Sequence, residues 1–298
     1  MTDHILVERE DGIATVVLNK PDTHNAISLA MYKRIPEIFA ELDADSAVKV
    51  VVVRGAGTRS FASGADISEF EEVRGNSASA KAYNEHVAGA EHAIERFTKP
   101  TIAMVHGYCI GGGCGIALGC DIRFADERSR FGITPAKLGL VYSLESTKRL
   151  VDVVGPSRAK WILYSGQHVY ADDALRLGLI DELLPADDLE KHTYEFAKLV
   201  TTRAQFSVRS SKRIVNLALG GQTEDDEITI DIRNSSFDTE DYAEGVRSAK
   251  RIVDLVLGGQ TADDDVTIDI RNSSFDTEDY AEGVRSFLEK RPPRFTWS

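Results

Sequence analysis

The chain has 298 residues, 42% of them hydrophobic and 28% charged, with a formal net charge of −13. That size and balance describe one sizeable folded domain, or a domain with an appendage, and exclude a disordered chain. The opening residues MTDHILVERE lack a basic start followed by an apolar run, and no apolar stretch approaches the roughly 18 residues that span a bilayer, so a cytoplasmic protein without a membrane partner is expected.

Read in chain order, ILVEREDGIATVVLNKP gives two strands around an Asp11-Gly12 turn. Ser28 is placed to cap a helix whose periodicity runs to Leu42, with Pro36 as a kink point. VKVVVVRG is a continuous apolar strand of the kind covered on both faces, residues 81–98 are helical in pattern, and PTIAMVHG supplies another strand. DIRFADERSRFGI is a strand and turn, and the pattern after residue 145 is mostly helical. The alternation predicts an α/β fold, with residues 1–200 as core and 201–298 as a helical C-terminal region.

Much of the acidity has a local origin. Residues 210–247 recur at 248–285 with 32 of 38 positions identical, and each copy holds four basic and nine acidic residues. The two copies contribute −10 and the rest of the chain only −3. Two copies are too few for a solenoid, so the pattern reads as a tandem duplication whose extra 38 residues need no unique position. An acidic chain also argues against nucleic acid as a partner. Cys109, Cys114 and Cys120 form no CxxC pair and sit in an apolar segment, which fits buried free thiols in a reducing compartment.

The segment GYCIGGGCGIALGCDI (107–122) packs six glycines between a strand and a helical stretch. Glycines there let backbone approach a ligand closely, and the first amides of the helix have no internal partners. Close helix-to-strand packing is the purely structural alternative. Gly113, Gly115 and Gly119 also give GxGxxxG, but the next strand ends at Asp126, well short of the roughly 20 residues expected before a ribose-binding acid, and no phosphate-loop Gly-Lys-Ser/Thr occurs. FASGADI (61–67) presents a second small-residue strand end, and two such ends facing one pocket would each give one amide to the same oxygen. In EHAIE (91–95), His92 and Glu95 stand at helical spacing without a visible third ligand, so no metal site is expected.

NKPDTHNAIS, RSFASGADI, HGYCIGGGCGIALGCDIRFA, FGITPAKLGL, ADDALRLGLIDELLP and EDYAEGVRSFLEKRPPRF together resemble the crotonase, or enoyl-CoA hydratase/isomerase, superfamily over nearly the whole chain. The chain exceeds a typical member by about one repeat unit. The resemblance implies a spiral of ββα units with C-terminal helices, a homo-oligomer (a trimer or a dimer of trimers), and an acyl-CoA thioester as substrate, with coenzyme A as part of that substrate and no separate cofactor. It implies a thioester oxygen held by the backbone amides of Ala65 and Gly112, and chemistry through an enolate. By the same match His24, Ala26, Ala62, Gly64, Asp66, Ile67 and Gly111 line the coenzyme A and thioester channel, and Phe287 and Lys290 approach the nucleotide end.

The departures narrow the chemistry. Hydratases of this family use two glutamates, one after GGGC and one in FGxPE; here those positions are Gly115 and Pro135. Tyr142 and Glu145, three residues apart at a helix start, are the candidate actors in their place, each with a structural alternative as a core tyrosine and a solvated acid. ITPAKLGLVYSLESTKRL locally resembles methylmalonyl-CoA decarboxylase, although that enzyme has a histidine at the position of Ala65. Three readings stay open: a decarboxylase, isomerase or related lyase; a hydratase with relocated acids; and an acyl-CoA-binding protein without turnover.

Overall fold

In a computed structural model of the protein, the described residues are 4–70 and 77–257. Asp11 and Gly12 both take positive φ, 48° and 82°, in a two-residue turn whose twist suits a hairpin. It joins β1 (Ile5–Glu10) to β2 (Ile13–Leu18), with Ile5 opposite Leu18. Helix α1 (Leu29–Ala44) completes a first β-β-α unit. The second is β3 (Val50–Gly55), β4 (Ser60–Ala62) and α2 (Ser77–Glu95). The third is β5 (Thr101–Val105), β6 (Tyr108–Ile110) and α3 (Gly112–Gly119), and the fourth is β7 (Ile122–Asp126), β8 (Arg130–Gly132) and the single turn α4 (Pro135–Leu138).

From the second unit onward, the first strand of each unit joins one sheet and the second strand joins another. With β9 (Val169–Tyr170) and β10 (Glu182–Leu184), the orders are β1-β2-β3-β5-β7-β10 and β4-β6-β8-β9. This is the expected spiral. The short strands β4 and β6 escape the sequence pattern, because three residues are too few to show a period.

The apolar strand β3 is explained by its two faces. Val51 and Val53 pack into the main core with Tyr32, Ile35, Phe39 and Ile94, while Val50 and Val52 pack with Phe124, Leu189 and Ala197 under α8 (Leu189–Thr201). Alternate residues of a strand point to opposite sides, so a strand covered on both must be apolar throughout. In α1 the buried residues Met31, Tyr32, Ile35, Ile38, Phe39 and Leu42 form one stripe, and Ser28 Oγ accepts from Met31 N at 3.3 Å as the N-cap. Pro36 lies inside α1 without ending it. The buried Lys99 ammonium, whose pKa is lowered by that burial, donates to Leu42 O at 2.7 Å and Asp45 O at 2.6 Å at the C-terminal end of α1, where a cation is favoured.

Cys109, Cys114 and Cys120 are free and buried. Among the described residues, no helix is long and apolar enough to cross a membrane. After α5 (Leu144–Val154), α6 (Pro156–Ser165) and α7 (Ala171–Leu177), the first compact unit continues through α8 and α9 (Gln205–Leu219) to Gln222. Lys212 of α9 donates to Lys99 O at 3.0 Å and to Asp121 Oδ2 at 2.8 Å. The second unit starts at Thr223 and contains α10 (Glu227–Ser235) and α11 (Glu240–Leu257). α11 runs through the junction of the two copies at 247/248. Most of copy two, with Phe287 and Lys290, lies outside the described residues.

The turn between β7 and β8 is organised by Asp126, which is fully buried. Its carboxylate accepts from His106 Nδ1 at 2.8 Å, Arg128 Nη2 at 2.7 Å and Ser129 Oγ at 2.9 Å. Burial works against ionisation there, but these donors outweigh it and hold the pKa at about 2.

Two outcomes follow from this packing. Copy two begins Ser248-Ala249-Lys250-Arg251 and so can supply Lys250 where Lys212 stands. Deletion of Ser210–Arg247 is expected to leave a folded protein whose unfolding midpoint moves by less than ~4 °C in calorimetry, the shift of about 1 kcal/mol; an insoluble product would show that the extra copy is structurally required. For Asp126, a folded-state pKa below the unfolded value gives stability that is present above pH ~4 and lost as pH falls toward 2. Asp126→Asn should therefore cost about 2 kcal/mol in denaturant unfolding at neutral pH, and the gap to the wild type should narrow between pH 4 and 2.

Candidate functional site

The ends of β4 and β6 lie against each other as backbone on backbone. The strands pair in parallel, and their continuations turn at Gly64 (φ 111°) and Gly111 (φ 52°), conformations that favour glycine. A Cβ on Gly113 would stand 2.5 Å from Ala62 O, an approach that only a residue without a side chain allows. Gly111 lies against Gly64, its ideal Cβ 3.8 Å from Gly64 Cα.

Two N–H groups converge there. Gly112 opens α3, so its N–H has no partner inside the helix. Around Ala65, the neighbouring groups are used in a parallel bridge: Ile27 N donates to Gly64 O at 2.8 Å and Asp66 N to Ile27 O at 2.9 Å. Among the described residues neither Ala65 N–H nor Gly112 N–H makes a hydrogen bond. Ala65 N lies 3.6 Å from the point where a Cβ on Gly112 would stand, and the Tyr32 hydroxyl only 2.1 Å from that point. The pair is therefore a compact two-donor site at the positive end of α3.

The loop carrying His24 and Ala26 runs beside this site. Asn25 fixes it, its Nδ2 donating to Ser60 O at 2.7 Å and Ala56 O at 3.1 Å, and Ser63 N donates to His24 O at 3.0 Å. His24 takes φ 53° and sets its ring edge-on to Tyr108, and its Nδ1 is buried without a partner among the described residues. Asp66 accepts from Lys20 Nζ at 2.5 Å and from Ser68; although burial opposes ionisation, these bonds hold its carboxyl below the usual range. Ile67 is 69% exposed. His24, Ala26, Ala62, Gly64, Ala65, Asp66, Ile67, Gly111 and Gly112 thus share one region.

Tyr142 and Glu145 part company. Tyr142 precedes α5, and its buried hydroxyl has no partner among the described residues; burial, and then the Glu91 carboxylate, push its pKa well up. Glu145 faces outward, its side chain 55% exposed, and pairs with His92 Nε2 at 3.1 Å. The equal spacing misleads because Ser143 caps the helix, so Tyr142 lies outside the regular turn. Pro135 is the first residue of α4 and brings no acid to the site.

A residue not singled out from sequence does bring a carboxylate to this region. Glu91 of α2 is 3% exposed, and its Oε1 stands 2.0 Å from where a Cβ on Gly115 would be. Its Oε2 accepts from Ser146 Oγ at 2.8 Å and Arg149 Nη1 at 2.5 Å, and Arg149 Nε reaches Glu95 Oε2 at 3.0 Å. Burial works against the Arg149 charge, but Glu91 and Glu95 outweigh it and raise its pKa. Glu95, weighed above with His92 and set aside as a metal ligand, pairs with Arg149. A cleft also opens elsewhere, between Glu8–Asp11 and Glu190, Tyr194 and Lys198, and none of the sequence-predicted site residues lines it.

The comparisons agree with this architecture. The family model for enoyl-CoA hydratase/isomerase matches residues 8–254. A short-chain-enoyl-CoA hydratase of Clostridium acetobutylicum is 34% identical over 72% of this chain and 81% of its own. A crotonyl-CoA hydratase of Syntrophomonas wolfei is 31% identical over 82% and 94%. Among solved structures, an enoyl-CoA hydratase/isomerase family protein from Hyphomonas neptunium aligns over 100% of this chain and 99% of its own, at 34% identity and a TM-score of 0.78. A monofunctional enoyl-CoA isomerase of M. smegmatis aligns over 74% and 96%, at 30% identity and a TM-score of 0.64. The likeness to methylmalonyl-CoA decarboxylase rests on sequence motifs alone. A spiral of ββα units with paired amides where two strand ends meet, matched by that model over most of the chain, makes this protein a member of the enoyl-CoA hydratase/isomerase family of the crotonase superfamily, which acts on acyl-CoA thioesters.

Proposed function

We propose that the protein forms an enolate from an acyl-CoA thioester and completes an isomerase- or lyase-type reaction, with the Ala65 and Gly112 amides as the oxyanion hole. The observation that carries this reading is that pair of N–H groups, adjacent and without another acceptor among the described residues. A thioester oxygen accepting from both gains most when it carries the enolate charge, which is when such donors accelerate a reaction. Two-carboxylate hydration is disfavoured because Gly115 and Pro135 can neither orient a water nor move its proton. Moving one proton between carbons of a bound thioester, as in double-bond isomerisation, needs only one group of that kind.

The loops at 24–26 and 62–67 frame the thioester's approach to Ala65. Asp66 is committed to Lys20, so coenzyme A is held there by backbone groups and by the exposed Ile67. Tyr142, kept protonated by its buried setting, presents a neutral hydroxyl suited to donate a hydrogen bond into the site. Leu138, Leu140, Val141 and Leu144 expose an apolar surface that supports a homo-oligomer.

Gly112→Pro removes one donor at a helix position that tolerates proline, but a Cβ there meets the Tyr32 hydroxyl at 2.1 Å and the ring carbon behind it only at 3.4 Å. The substitution is therefore best made in a Tyr32→Phe background. Relative to Tyr32→Phe alone, the double variant should lose about 10²-fold or more in turnover, and a folded, undiminished double variant would end the oxyanion assignment.

With 3-enoyl-CoA and crotonyl-CoA offered separately, mass spectrometry and ultraviolet absorbance should find isomerisation fast and hydration slow. Tyr142→Phe should lower turnover by about 10²-fold while thioester binding survives. Rapid hydration of crotonyl-CoA by the wild type would overturn the reaction class.

A further inference from the structure

We infer that Glu91, delivered from the neighbouring helix α2 into the space that Gly115 leaves empty, is the catalytic acid–base, and that Ser146 and Arg149 are its positioning residues. The inference rests on the reading of the protein as an enolate-forming acyl-CoA enzyme and assigns that reaction its proton carrier.

Gly115 has no side chain, and the Glu91 carboxylate occupies the place where one would begin, with Oε1 2.0 Å from the ideal Cβ. A side chain of any kind at 115 and Glu91 in its present rotamer exclude each other. Gly115 and Gly112 are three residues apart in α3, so the backbone position that the carboxylate abuts is about 4.5 Å along the helix axis from the candidate oxyanion donor. The two oxygens of Glu91 are used unequally. Oε2 accepts from Ser146 Oγ and Arg149 Nη1, and Ser146 is itself held by Ser143 Oγ at 2.8 Å. Among the described residues, Oε1 accepts no hydrogen bond, although the group is buried. A carboxylate gripped through one oxygen with the other left bare is arranged to receive a proton at a defined place. The Tyr142 hydroxyl, buried and without a partner among the described residues, is close enough to feel the Glu91 charge.

The step balances without an added reagent. Glu91 Oε1 takes a proton from the carbon next to the thioester carbonyl; the C–H electron pair becomes a carbon–carbon double bond, and the carbonyl pair moves to the oxygen between Ala65 N–H and Gly112 N–H. For a 3-enoyl thioester the same proton returns to the fourth carbon, the double bond shifts to the 2-position, the carbonyl re-forms and the carboxylate is regenerated.

The test is deuterium exchange at that carbon, read by mass spectrometry for a saturated acyl-CoA in deuterated water, beside thioester binding by titration calorimetry. The wild type should exchange, and Glu91→Gln should bind but exchange at least about 10²-fold more slowly. Because Glu91→Gln strands the Arg149 charge and the variant could misfold, a second variant, Glu91→Ala with Gly115→Glu, moves the carboxylate to the other helix and should recover exchange above Glu91→Ala alone, which a purely structural ion pair would not produce. A positioning role predicts that Ser146→Ala lowers the exchange rate with binding unchanged. Exchange at the wild-type rate in Glu91→Gln, with exchange still lost on the proline change at Gly112, would overturn the role of Glu91 and leave the enolate reading standing. A wild type that binds thioester but exchanges no proton would overturn both.

Discussion

Much of the architecture around the site depends on one steric constraint, the backbone-to-backbone approach of the segments following β4 and β6. Parallel neighbours in a sheet stand about 4.8 Å apart, and here the chain must leave both strands in the same direction while staying in contact. Gly113 against Ala62 O leaves no room for a Cβ, and Gly64 and Gly111 turn the two segments at positive φ. That contact sets the ends of two successive ββα turns side by side and brings Ala65 N–H and Gly112 N–H together. The buried Asp126 cluster braces the next turn of the spiral, where His106 and Ser129 tie β5 to the β7–β8 turn.

A second constraint is electrostatic. A buried carboxylate is costly unless paired and hydrogen-bonded. Glu91 meets that condition through Arg149 and Ser146, and Arg149 through Glu91 and Glu95. The cluster joins α2 to α5 beneath the first turn of α3. It brings a carboxylate to the Gly115 backbone, where position 115 has none of its own. Exposure separates this pair from the other candidate: the Glu145–His92 contact is at the surface, where water screens it and its energetic weight is small.

Where sequence and structure agree, the signal was local or periodic. The Asp11-Gly12 turn, the Ser28 cap, the continuous apolar run of β3 and the stripe along α1 each follow from neighbours within a few residues, and the structure keeps them. Family motifs carried the rest of the fold, since β4 and β6 are too short for a period to show. The C-terminal part was less legible: the compact unit reaches Gln222, past the change in pattern near residue 200, and α9 is tied to the start of β7 through Lys212 and Asp121.

The sequence by itself determined the α/β alternation and the duplication, and its motifs carried the family resemblance that implied the spiral and the amides of Ala65 and Gly112, because glycine spacing and strand-end motifs express backbone requirements that residue type records directly. It also determined that the usual acids are missing at 115 and 135. Only the tertiary structure decided what stands in the vacated space. Glu91 and Gly115 are 24 residues apart on different helices, and nothing in EHAIE distinguishes a glutamate that turns inward from one on a solvated face. The orientation of Glu145 was likewise set by where Ser143 begins α5. Side-chain direction across a helix–helix contact depends on the relative placement of the two helices, which no local pattern encodes.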